Sequence, residues 1–143
     1  MSSFYKRFIE PLKTIKALKQ PPLDGYTVYT FSHNQEIQEY LTVNAQKLSI
    51  VVVASLHSEI FKRFQKEIVL TPLGHPNDVS LGYIDIKKCS DAFLDAHRVM
   101  TMPTCLLFHD RKLVYKVCGL RLKELSLKSR LSLRSTNLNP CSS

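Results

Sequence analysis

Four cysteines, Cys89, Cys105, Cys118 and Cys141, have the greatest chemical reach in this chain, because a thiolate can attack a disulfide, accept oxidation or hold a metal. Their spacing limits that reach. They are widely separated, with no Cys-x-x-Cys pair and no metal-ligand spacing to any histidine. They read as reduced thiols in a reducing compartment. Cys105 and Cys118 stand at strand positions and read as small buried apolar residues, a lone redox thiol being the alternative. His57 lies between Ser55 and Ser58, a base beside two hydroxyls. Nucleophilic catalysis needs such groups opposed in space with a third group orienting the base, and adjacency in sequence supplies neither. Ser58 reads instead as a helix N-cap. The remaining histidines, His33, His75, His97 and His109, are scattered, so no metal, cofactor or small-molecule substrate is expected.

The formal net charge of +8 is unevenly distributed. Residues 1–20 carry Lys6, Arg7, Lys13, Lys16 and Lys19 against Glu10 alone. Residues 111–143 carry Arg111, Lys112, Lys116, Arg121, Lys123, Lys128, Arg130 and Arg134 against Glu124 alone. The middle of the chain is therefore mildly acidic. Basic ends of this kind meet phosphate, an anionic membrane surface or acidic partner subunits, while the plainer reading is a pair of solvated flanks. Lys6, Arg7, Lys13, Lys16, Arg121, Lys128 and Arg130 are the candidate partner-binding cations. Any nucleic-acid contact would be phosphate-driven, because no aromatic-rich RNA-reading motif accompanies them. The longest apolar run, Leu48 to Leu56, is a strand's length and far short of a membrane span, so a soluble or peripheral protein is expected.

The elements that must position these groups follow from periodicity. Phe4, Phe8, Ile9, Leu12, Ile15 and Leu18 form the apolar stripe of an amphipathic helix interrupted at Pro11. Residues 1–22 are thus expected to be a basic arm, import-competent in character but retained, with Gln20-Pro21-Pro22 as its hinge. Residues 23–132 are expected to form one domain of alternating strands and helices. Tyr26–Phe31 reads as a strand. Ser32 with Gln35 gives a capping-box signal for a helix bearing Ile37, Tyr40, Leu41 and Ala45. The β-branched run Leu48–Ala54 reads as a central strand covered on both faces. A helix from about Glu59 to Ile68 is expected to bury Ile60, Phe61, Phe64 and Ile68. Residues 72–78 read as a surface loop, Val79–Ile86 as a strand, and Ser90 as the cap of a helix burying Phe93, Leu94 and His97. Strands Cys105–Phe108 and Leu113–Val117 follow, joined as a hairpin through His109–Lys112. A last helix over about residues 122–131 is expected to present Leu125, Leu127 and Leu131. Residues 133–143 are expected to be a Ser/Asn-rich tail with too little apolar content to fold alone.

The segment from Val99 to Phe108, with Thr101-Met102-Pro103-Thr104 at its centre, resembles the thioredoxin-like superfamily at its Pro-Thr turn and following apolar strand. Leu113 to Gly119 is similar to the family's hairpin partner strand, and Ile84-Asp85-Ile86 to the strand before its third helix. The resemblance covers roughly residues 25–131. It implies an α/β fold with a mixed central sheet flanked by helices, a cis bond before Pro103, and backbone groups at Thr101–Thr104 that face the redox site and contact an extended partner. Redox chemistry in that family needs a cysteine at the start of the second helix, where the helix dipole favours a thiolate, and a second cysteine three residues on. Here the helix start reads Ser55-Leu56-His57-Ser58-Glu59-Ile60. One register places Ser55 and Ser58 at the two positions and another places His57 and Ile60 there, so Ser55–Ser58 is a degenerate redox site in either case. The family's tryptophan and buried strand acid are also missing, the latter's place falling in Val51–Val53.

The expected function is therefore non-catalytic: a thioredoxin-fold structural or assembly subunit of a large complex, its partners being neighbouring subunits, with lipid or RNA phosphates as further contacts for the basic ends. The amphipathic basic start suggests a mitochondrial respiratory or ATP synthase complex, at the inner membrane or in the matrix. Other readings are a mitochondrial ribosomal protein, a cytosolic or axonemal binding module similar to the phosducin group, and a divergent thiol oxidoreductase using Cys105 or Cys118.

Overall fold

The structure, a computed structural model, describes residues 26–142, with side chains described as far as Arg134. The expected basic arm and its Lys6, Arg7, Lys13 and Lys16 lie outside the described residues. Five strands build one sheet: β1 (Thr27–Phe31), β2 (Leu48–Ala54), β3 (Val79–Asp85), β4 (Thr104–His109) and β5 (Lys112–Cys118), in the spatial order β1-β3-β2-β4-β5. β3 runs parallel to both β1 and β2, while β4 is antiparallel to β2 and to β5. Among the described residues four α-helices accompany the sheet: α1 (Gln35–Val43), α2 (Glu59–Ile68), α3 (Asp91–Ala96) and α4 (Leu122–Ser142). Short 3-10 turns at Pro76–Asp78 and Ile86–Lys88 flank β3.

All seven residues of β2 are buried, as a Val/Ile run between two covered faces requires. On one face Leu48, Ile50, Val52 and Ala54 pack with Phe61, Phe64 and Ile68 of α2 and Leu125 of α4. On the other, Val51 and Val53 pack with Ile37, Tyr40 and Leu41 of α1 and Phe93 of α3. The polar rim of the second face is satisfied internally: the Tyr40 and Ser80 hydroxyls share a hydrogen bond of 2.7 Å between α1 and β3. Gly82 is required by close approach, since a Cβ there would lie 2.4 Å from Cε2 of Phe31, the ring that also meets Tyr40 edge-on.

Several local expectations are corrected. The Ser32/Gln35 capping box does not form. Asn34 is the N-cap, and its side-chain oxygen is drawn away to the Ser90 N–H at 2.8 Å, while the Glu36 carboxylate accepts the Ser32 N–H at 2.6 Å. Ile60 faces solvent, 49 % exposed, because the phase of α2 is set by Phe61, Phe64 and Ile68. Leu127 and Leu131 of α4 also face outward. The loop before β3 is only partly a surface loop, because Leu73 is fully buried.

The reason α4 turns as it does was invisible to a count of apolar residues. Its inward stripe is Leu125 with the small polar residues Ser126, Ser129 and Ser132, all buried. The Ser126 hydroxyl donates to the Pro72 carbonyl and that of Ser129 to the Leu73 carbonyl, while the Leu133 side chain covers Gly74 at φ +129°. The Tyr26 hydroxyl finishes the same loop, donating to the Gly74 carbonyl at 2.8 Å and accepting the Leu73 N–H at 3.2 Å. Serines at these positions bring α4 close to a backbone whose carbonyls would otherwise be buried without partners. The helix α4 runs to Ser142, through most of the Ser/Asn-rich segment expected to lack the apolar content to fold alone. The hairpin turn is tight, as expected, with His109 paired to Lys112 and Asp110 and Arg111 both at positive φ, and Val114 is bulged between the Phe108–Leu113 and Leu107–Tyr115 pairs.

Two substitutions check this packing. Ser129→Ala leaves the Leu73 carbonyl unpaired in the core and is expected to lower unfolding stability by roughly 1 to 3 kcal/mol in a urea titration. Gly82→Ala is expected to be destabilising by a similar 1 to 3 kcal/mol through overpacking, and its increment to shrink when Phe31→Leu is made first. Equal increments in the two backgrounds would place the strain elsewhere.

Candidate functional site

β2 leads directly into the turn that precedes α2, and the register of the sheet fixes what lies beside it. Val53 is opposite Thr104, so the next residue of each strand along that direction, Ala54 and Pro103, brings the Pro-Thr turn to the mouth of the Ser55–Ser58 loop. The Met102–Pro103 bond is cis, as the resemblance implied. The turn is pinned from two sides: the Thr104 hydroxyl donates to the Thr101 carbonyl at 2.5 Å, and the Gly119 N–H donates to the Pro103 carbonyl at 2.7 Å. Pro103 and Thr104 are buried, Met102 is half-buried and Thr101 is exposed.

Ser55–Ser58 forms a closed turn. The Ser55 carbonyl accepts both the Ser58 N–H at 3.0 Å and the Ser58 hydroxyl at 2.7 Å. The same hydroxyl accepts the Phe61 N–H at 3.1 Å, which makes Ser58 the N-cap of α2 as its sequence context predicted. Asp85, at the end of β3, reaches across: one carboxylate oxygen accepts the Leu56 N–H at 3.3 Å and the other the Lys87 N–H at 2.9 Å. His57 projects into solvent without a hydrogen-bond partner among the described residues, so it is not paired with either serine. Asp85 was overlooked as a site residue, although a carboxylate ending an apolar strand is a legible signal.

With Ser58 as the N-cap of α2, Phe61 is the first residue of that helix to be buried. Phe61 fills the space beneath the helix start, edge-on to Tyr83 at 5.0 Å and stacked with Phe64 at 6.0 Å. Tyr83, Val52 and Cys105 form a continuous row across the sheet below these rings. The Tyr83 hydroxyl is buried with no hydrogen-bond partner among the described residues, and burial raises its pKa; an unpaired buried hydroxyl is destabilising where it sits.

The thiols stand apart from the helix start. Cys105 is 1 % exposed, and burial, with a smaller contribution from Cys118, pushes its pKa up to about 12. Cys118 contradicts the expectation of burial. It pairs with Thr104 while Cys105 pairs with Val117, so the two cysteines point to opposite faces of the sheet, and Cys118 is exposed at the edge strand. Cys89 is half-buried, its pKa pushed up to about 11 by burial and then by Asp85. Among the described residues no disulfide is present.

The candidate cations of the C-terminal region do not converge. Arg121 pairs with Glu124 at 3.6 Å, Lys128 lies 4.7 Å over the Tyr115 ring, and Arg130 donates from Nε to the Ser126 carbonyl at 3.3 Å. Lys128 and Arg130 therefore sit on different sides of α4. No helix among the described residues is long and apolar enough to cross a membrane.

No protein-family model and no curated protein sequence matches the chain. Solved structures do. A thioredoxin from Fasciola hepatica is 15 % identical over 71 % of this chain and 95 % of its own, with a TM-score of 0.60. A thioredoxin from Trypanosoma brucei brucei is 16 % identical over 75 % and 91 %, also with a TM-score of 0.60. Thioredoxin NaTrxh from Nicotiana alata is 27 % identical over 71 % and 88 %, again with a TM-score of 0.60. The element order, the mixed five-stranded sheet and the cis-proline turn, together with these likenesses, establish that this chain has a thioredoxin-like fold in which no Cys-x-x-Cys pair is present.

Proposed function

We propose that this chain is a non-catalytic thioredoxin-fold subunit that acts as a compact structural or assembly element of a larger protein complex. The observation that carries the reading is the start of α2. Its N-cap is a hydroxyl already committed to Ser55 and Phe61, and Phe61 fills the position three residues on. A helix dipole aimed at Ser58 has no ionisable sulfur to favour, and a buried thiol at Cys105 has almost no thiolate at neutral pH. What the site retains is binding geometry. Met102 of the cis-proline turn is half-buried and Met100, two residues before it, is 86 % exposed, apolar surface that an extended partner segment could cover. The basic amphipathic character of residues 1–22 favours a mitochondrial respiratory or ATP synthase complex as the assembly. A divergent thiol oxidoreductase is the second reading, favoured by the exposure of Cys118 one residue before Gly119, whose N–H holds Pro103.

Three measurements test these readings. In an insulin-disulfide reduction assay the full chain is expected to show no turnover above the reductant background. Turnover that disappears in Cys105→Ser or Cys118→Ser would establish the oxidoreductase instead. In native separation of solubilised mitochondria the chain is expected to run with an assembly far above its own 16.4 kDa, and a purely cytosolic monomer would remove the subunit reading.

The third measurement concerns pH. Cys105 holds its proton in the folded state up to about 12, against 9.0 for the free thiol, so its contribution to stability is intact below pH 9.0 and is lost as pH rises through that window. The urea midpoint is therefore expected to fall more steeply above pH 9.0 in the native sequence than in Cys105→Val, and alkylation at neutral pH to modify Cys118 long before Cys105. Equal alkylation rates would mean that the sheet opens readily around Cys105.

A further inference from the structure

The outward surface of α4 combines charge and apolar area in a way the fold does not use. Lys123, Arg130 and Arg134 recur at i, i+7 and i+11, which at 3.6 residues per turn places them on one stripe, and all three are exposed. On one flank of that stripe lies a groove of about 410 Å³ between the end of α2 and α4, walled by Leu70, Pro72 and Leu122 with Lys123 and Arg130 on its rim. Leu70 is 84 % exposed there. On the other flank stand Leu127 and Leu131, an i, i+4 pair turned away from the core. The acids nearest in sequence are engaged elsewhere, Glu67 with Arg63 at 2.7 Å and Glu124 with Arg121 at 3.6 Å. Neither neutralises the stripe.

We infer that this surface docks an acidic amphipathic helix of a partner protein, its carboxylates meeting Lys123, Arg130 and Arg134 and one apolar side chain entering the groove beside Leu70. The inference rests on the subunit reading above and names the chemistry of one neighbour. Charge complementarity selects the acidic partner. Concavity selects a protein over a lipid surface: a bilayer lays against convex apolar faces, whereas a groove beside a cation stripe is filled by a side chain from a helix lying along it. Two half-exposed leucines are also a small apolar area for an interfacial membrane anchor.

The test uses the full-length chain and a fluorescein-labelled synthetic peptide of about 15 residues, with leucines at i, i+4 spacing and glutamates between them. The native sequence is expected to raise the anisotropy of this probe, with binding that weakens between about 50 and 300 mM salt. Lys123→Glu/Arg130→Glu/Arg134→Glu is expected to weaken it about tenfold or more. Leu70→Ser is expected to weaken it without altering the salt dependence. The control Lys47→Glu/Lys87→Glu/Lys88→Glu, on other surfaces, is expected to bind as the native chain does. Circular dichroism of each variant establishes that it is folded. Absence of peptide binding, equal loss in the control, or capture by phosphatidylserine-containing vesicles in place of the peptide would each overturn the inference. A chain that enters a large assembly even with the three cations reversed would sink this docking surface while leaving the subunit reading intact.

Discussion

Strand β2 is hydrogen-bonded along both edges and covered on both faces, and its position fixes where everything else can go. β3 pairs with it in parallel on one side and β4 antiparallel on the other, so the direction of the sheet changes at β2. The end of β2 is consequently the place where a helix start, a strand end and the cis-proline turn meet. Asp85 from β3, Ser58 from α2 and Pro103 before β4 are brought together by that geometry alone. An apolar run such as Ile50–Val53 offers no side-chain partners to polar groups, and the loop polar atoms are satisfied by one another at the strand's exit.

The same exit holds the reactive dithiol in redox-active members of the superfamily that the sequence resembles, and this chain keeps the frame without a Cys-x-x-Cys pair. Ser58 spends its hydroxyl on the helix cap, Phe61 occupies the inner position, and Tyr83 and Val52 close the floor beneath. The corner is held by packing and by hydrogen bonds made within it, including those to the Thr101 and Pro103 carbonyls.

α4 shows a different economy. A helix that lies over irregular backbone must bury carbonyls, and Ser126 and Ser129 supply donors small enough to permit close approach. Using serines inward leaves leucines for the outside, so the exposure of Leu127 and Leu131 is a direct consequence of how the helix is anchored. The basic stripe beside them is thereby held rigidly at a fixed distance from the α2 end, which a flexible basic tail could not achieve.

The cis bond before Pro103 was implied only by the resemblance to thioredoxin-like proteins, whereas sequence by itself determined the alternation of elements, the doubly covered β2, the caps at Ser58 and Ser90, and the absence of a cysteine pair. These are local matters: β-branched runs, cap residues and a turn motif act over a few positions and need no knowledge of distant chain. Tertiary structure decided the rest. The exposure of Ile60, expected inside with Phe61, Phe64 and Ile68, depends on the phase at which α2 packs Phe61 and Phe64 against Tyr83 of another strand. The exposure of Cys118 depends on its strand being the sheet's edge, and the phase of α4 depends on carbonyls more than fifty residues away in the chain. Asp85 is visible in the sequence as an acid ending an apolar strand, but its contact with the Leu56 N–H depends on β3 lying beside β2. Side-chain direction and long-range hydrogen bonding are set by what the fold brings alongside, and no local pattern encodes that.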